Sequence, residues 1–99
     1  MTDSLAELED DDLLDQVIQP VATLMAEPAG DELVIVNTTD EGTYYLNPPA
    51  RLIWEMIDGT RRGSDILAAL QAAYDSGPTA DHVASTLRGF AGGGLIERA

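Results

Sequence analysis

The chain carries a single histidine, His82, the residue type that most often serves as a base near neutral pH. Hydrolysis or group transfer needs such a base beside a nucleophile, and Asp81 and Ser85 are its neighbours in sequence. Adjacent positions on a helix do not face one another, and a Ser-His-Asp set draws on separate elements around a cleft. His82 therefore reads as a partly exposed helix residue. The absence of cysteine removes a thiol nucleophile, every thiolate metal site and a disulfide framework, and it fits a reducing compartment. Asp10-Asp11-Asp12 with Asp15 would attract a hard cation, yet the alternating ligands and mid-loop glycine of a calcium loop are missing. Gly92-Gly93-Gly94 follows a helical pattern instead of preceding one, so the positive helix end that would cradle a phosphate lies on the wrong side. The reading is of a protein that is not an enzyme, with no catalytic residue, no metal and no cofactor.

The elements around these residues describe a small α+β domain. Ninety-nine residues bury roughly 65% of the surface that the unfolded chain exposes, enough for one modest core. Val21–Glu27, Leu33–Val36 and Thr43–Leu46 have strand character, joined by the turns Pro28-Ala29-Gly30-Asp31 and Thr39-Asp40-Glu41-Gly42. Two short connections between three strands indicate an antiparallel meander. Alternation places Tyr44 and Leu46 on its core face, Thr43 and Tyr45 on the other.

From Asn47 the period becomes helical. Asn47 is an N-cap, and Pro48 and Pro49 fall in the first turn, where a missing N–H costs nothing. Leu52, Ile53, Met56 and Ile57 form the apolar stripe with Trp54 beside it, and Asp58-Gly59 ends the helix. Ser64 and Asp65 begin a second helix, on which Ile66, Leu67, Leu70 and Tyr74 share a face before Ser76-Gly77-Pro78 stops it. Thr79 caps a third, running to about Ala91 with Val83, Leu87 and Phe90 inward, and Leu95-Ile96 reads as a short return segment. The expected architecture is a three-stranded antiparallel sheet packed on a winged-helix-like three-helix bundle.

Charge selects among partners. Eighteen acids stand against five arginines, a net charge of −13, and the first fifty residues hold twelve acids and no basic side chain. Such a chain repels nucleic-acid phosphates and anionic membrane surfaces. The start, Met1 to Asp12, has no basic stretch and no long apolar run, so no secretory signal is expected, and the reading is of a cytoplasmic protein. Residues 1–16 read as an acidic, flexible arm, with Leu5, Leu8, Leu13 and Leu14 scattered among seven acids, and residues 17–99 as the folded domain.

Two features suit the holding of another chain. Thr43–Leu46 ends the meander, so its outer edge is open to an incoming strand. Beside it, His82, Ser85, Thr86 and Gly89 give the third helix a small-residue outward side. The same edge also suits pairing with the protein's own arm or with a second copy in a homodimer.

The order Gly42-Thr43-Tyr44-Tyr45-Leu46-Asn47, Ile53-Trp54, Asp58-Gly59-Thr60, Ile66 with Leu70 and Tyr74, Val83 with Leu87, and Gly94-Leu95-Ile96 resembles the PqqD-like family over roughly residues 17–98. These are small peptide chaperones, also called RiPP precursor peptide recognition elements. The resemblance implies a non-enzymatic protein that binds the leader of a ribosomally made precursor peptide. It would present that leader to a modifying enzyme such as a radical S-adenosylmethionine protein, a protease or a cyclase. It further implies that the leader adds antiparallel to the third strand, at Thr43, Tyr44, Tyr45 and Leu46, and lies against the third helix, at His82, Ser85, Thr86 and Gly89. Asn47, Trp54 and Gly59 then serve as cap, core and turn. The arm is more acidic than that pattern requires, and the triple glycine looser. The rival readings are a winged-helix DNA-binding regulator, against which Arg88 as the only basic residue of segment 79–91 argues, and a self-associating structural domain.

Overall fold

The computed structural model describes residues 5–39, 42–74 and 77–99. A 3-10 turn, Leu5–Glu7, leads into α1 (Asp10–Leu14) and β1 (Ile18–Pro20). There follow β2 (Leu24–Ala29), β3 (Glu32–Asn37), β4 (Thr43–Leu46), α2 (Pro48–Glu55), α3 (Gly63–Ala73), α4 (Ala80–Gly92) and β5 (Ile96–Arg98). Strands β2, β3 and β4 form the expected antiparallel meander with β3 in the centre. Its inner face, Leu33, Ile35 and Leu46, is buried in the core cluster shared with α2, α3 and α4, and α2 packs against β3 and β4.

Local chemistry sets the helix starts. The Asn47 side chain accepts from the Ala50 N–H at 3.0 Å, with prolines at the first two helical positions. Thr79 accepts from the His82 N–H at 3.2 Å. Asp65 reaches back to the Arg62 N–H at 2.9 Å, which satisfies one donor at the start of α3. Gly59 turns the chain out of α2 at φ +85°, in the left-handed region that glycine enters without a Cβ penalty.

Three details depart from the sequence reading. Strand β2 lies later than Val21–Glu27 and runs through Pro28 and Ala29, so the turn is Gly30-Asp31 alone, with Gly30 at φ +64°. Leu95-Ile96 leads into a real strand: β5 pairs antiparallel with β1, and Pro20 faces Ile96 at the end of that ladder. Leu52 leaves the expected stripe and is 40% exposed. The residues Asp40-Glu41, Ser76 and the first four of the arm lie outside the described residues.

The arm is where the physics was least visible. Leu13 is fully buried, Leu5 and Leu14 nearly so, and all three join the core cluster against α4. Arg88 of α4 donates to the Leu8 carbonyl at 3.0 Å and to the Asp10 carboxylate at 2.6 Å. That guanidinium holds the Asp10 carboxyl below its ordinary value. Residues 5–14 thus pack as a layer of the domain, not as a solvated arm beside it. Burying each leucine is worth about 1.5–3 kcal/mol.

Two packing contacts can be tested by unfolding. Trp54 meets Phe90 edge-on, ring centroids 5.5 Å apart, in the middle of the core. Trp54→Ala is expected to lower stability by about 3–5 kcal/mol in urea titration. At Gly63 an added Cβ would stand 2.9 Å from Leu87 Cδ1 and 3.0 Å from Leu14 Cα. Although alanine is the better helix former, Gly63→Ala should therefore destabilise by about 1–3 kcal/mol, because α1 and α3 must move apart.

Candidate functional site

The hydrogen-bond alternation of β4 decides which of its groups are open. The Asn37 N–H donates to the Gly42 carbonyl at 2.9 Å, which makes this a hydrogen-bonded pair. In an antiparallel ladder such pairs alternate with non-bonded ones. Ile35 with Tyr44 and Leu33 with Leu46 are then bonded pairs, whereas Val36 with Thr43 and Val34 with Tyr45 are not. The N–H and C=O groups of Thr43 and Tyr45 consequently point away from β3, along the free edge. Tyr44 and Leu46 hold the strand to the sheet, and Leu46 anchors it in the core.

The opposite edge of the sheet is blunted. Strand β2 carries Pro28, which has no N–H to donate, and the exposed carboxylate of Glu27. Strand β4 has neither device: Thr-Tyr-Tyr-Leu contains no proline and no charge.

Helix α4 meets this strand at its C-terminal end, where Gly93 lies close to the Tyr44 ring. Its Val83, Ala84, Leu87 and Phe90 are buried, Arg88 turns to α1, and the remaining side presents His82, Ser85 and Gly89 to solvent with Thr86 half-buried. The Thr86 hydroxyl donates to the His82 carbonyl at 2.9 Å, so it is engaged within the helix. An added Cβ at Gly89 would meet nothing within 4 Å. One at Gly93 would stand 3.1 Å from the Tyr44 ring. Glycine there lets that ring lie over the C-terminal end of α4.

A cavity of about 580 Å³, which sequence reasoning missed, opens near the start of α4. Pro48, Pro49 and Leu52 of α2, Leu70 and Tyr74 at the end of α3, and His82 of α4 line it. Its walls are almost wholly apolar. Pro48 and Pro49 add no N–H to the cavity wall, and Leu52, exposed where the stripe predicted burial, belongs to this wall. The one signal available in the sequence was the cluster of prolines, Pro48-Pro49 and Pro78, at two helix starts.

The chemistry weighed for His82 is not assembled. Among the described residues its ring makes no hydrogen bond with Asp81 or Ser85, and no group of three or more His, Asp or Glu side chains is placed to hold a metal ion. No helix among them is long and apolar enough to cross a membrane. Arg88, the one basic residue of α4, is spent on Leu8 and Asp10, so α4 presents no cation to a phosphate backbone.

The fold has a match among solved structures. The solved structure described as "TbiB1 in Complex with the TbiA(beta) Leader Peptide" matches with a TM-score of 0.67. It covers 80% of this chain and 94% of its own, at 20% identity, a likeness of fold. No curated protein matches. The family model described as coenzyme PQQ synthesis protein D (PqqD) matches residues 32–96, from β3 into β5. The chain belongs to the PqqD family.

Proposed function

We propose that this domain is a non-enzymatic peptide chaperone. It captures the leader of a ribosomally synthesised precursor peptide by strand addition and presents it to a modifying enzyme such as a radical S-adenosylmethionine protein, a protease or a cyclase. One observation carries the reading: the outward N–H and C=O groups of Thr43 and Tyr45 lie on an unblunted edge of the sheet. Main-chain hydrogen bonds along such an edge supply affinity without regard to sequence, and flanking pockets supply selectivity. The fold that this chain shares with TbiB1 is one that holds a leader peptide in that protein.

Thr43, Tyr44, Tyr45 and Leu46 form the strand side of the proposed site, and His82, Ser85, Thr86 and Gly89 the helix side. A peptide antiparallel to β4 runs from the Leu46 end to the Thr43 end. Its residues preceding the paired stretch therefore reach the cavity at Pro48, Pro49 and Leu52, where an apolar side chain finds apolar walls. The acidity of the first half favours a leader, or an enzyme surface, with basic residues, chiefly through the association rate.

Titration of candidate leader peptides against the isotopically labelled chain, followed at the backbone amides of residues 43–46 and 79–91, tests the reading. Tyr45→Pro removes an N–H that points away from β3, so binding should be abolished while the helical core stays folded; unchanged affinity would refute strand addition. Gly89→Ala separates folding from binding in the opposite sense. It should stabilise the free domain by about 0.5–1 kcal/mol, since alanine suits a helix interior and has open space there, and yet weaken peptide binding by crowding the helix side of the proposed site.

A further inference from the structure

The β2–β3–β4 sheet has a second face that the core does not use. The register sets Met25, Val36 and Thr43 in one row across it and Glu27, Val34 and Tyr45 in the next, with Ala29 and Glu32 at the hairpin end. Met25 is 58% and Tyr45 71% exposed, and Val34 and Val36 are half-buried. The solvent side of an antiparallel sheet ordinarily carries polar residues; this one gathers a methionine, two valines and a tyrosine. Its charges have one sign. Glu27 and Glu32 make no ion pair among the described residues. Arg51 approaches the hairpin from α2 but donates to the Gly30 and Glu32 carbonyls, both at 3.2 Å, leaving the Glu32 carboxylate uncompensated.

We propose that this outer face docks a protein partner whose contact surface is an apolar patch edged by arginine or lysine. The apolar rows supply the contact area, and Glu27 and Glu32 form a rim that selects for positive charge. A second copy does not meet that description. It would bring the same two carboxylates against each other in a chain of net charge −13. The inference concerns the face of the sheet, not its edge, and stands apart from peptide capture. The two surfaces meet at Tyr45, whose ring lies on this face while its N–H points along the edge. A strand added at β4 would extend the face by one row and set alternate peptide side chains beside the docked partner.

The test uses the full labelled chain and two synthetic amphipathic helical peptides, each with leucines on one side, flanked by arginines in one and by glutamates in the other. The arginine peptide is expected to shift the amides of residues 24–29 and 32–37, with an affinity that falls as salt rises, and the glutamate peptide to shift none. Replacing both exposed carboxylates, Glu27→Gln with Glu32→Gln, should weaken the arginine peptide about five-fold, as loss of two rim ion pairs would. Gly89→Ala, on α4 and away from this face, tests the leader site separately, so failure of peptide capture there leaves this outcome unaffected. The proposal is overturned if the shifts gather at Asp10–Asp12, if the double substitution changes nothing, or if the chain alone dimerises through these amides.

Discussion

The molecule is organised by the unequal surroundings of α4. Val83, Ala84 and Leu87 are fully buried, because α2 and α3 cover one flank of the helix and the 3-10 turn with α1 covers another. The third flank has small or polar side chains, and among the described residues nothing lies within 4 Å of a Cβ added at Gly89. A helix held from two directions and left bare on the third gives the proposed peptide site a wall that packing positions before any ligand arrives. Preorganisation of this kind lowers the ordering cost of binding.

Strand β4 obeys a comparable division within four residues. Tyr44 and Leu46 give their main-chain groups to β3, and Leu46 gives its side chain to the core, whereas Thr43 and Tyr45 turn theirs outward. The period of two applies to backbone and side chains alike. The edge therefore remains open without weakening the sheet. Proline on β2 marks the contrast, since that edge has been made a poor template and the β4 edge has not.

What could be read from the sequence was local. The Asn47 cap followed by two prolines, the Thr79 cap and the two-residue alternation at Thr43–Leu46 are each decided within a few positions, and the structure reproduces them. Pairing of β1 with β5 was not legible, because two three-residue strands some eighty positions apart leave no periodic trace. The arm misled for a related reason: Leu5, Leu13 and Leu14 have no regular spacing, and seven acids among them suggested solvent. Only the tertiary partner, the back of α4, makes those leucines a core. The cavity had no single origin either, for it lies where the ends of three helices meet.

That back layer has a practical consequence for where the domain may be cut. The family-matched stretch, 32–96, excludes Leu13 and Ile18, both fully inaccessible, along with the whole strand that β5 pairs with. A fragment trimmed to those limits would expose the rear of α4 as a greasy scar and leave Arg88 without its acidic clamp. Excision borders for this protein have to be drawn from its packing, upstream of Leu5, and not from the extent of its recognisable ancestry.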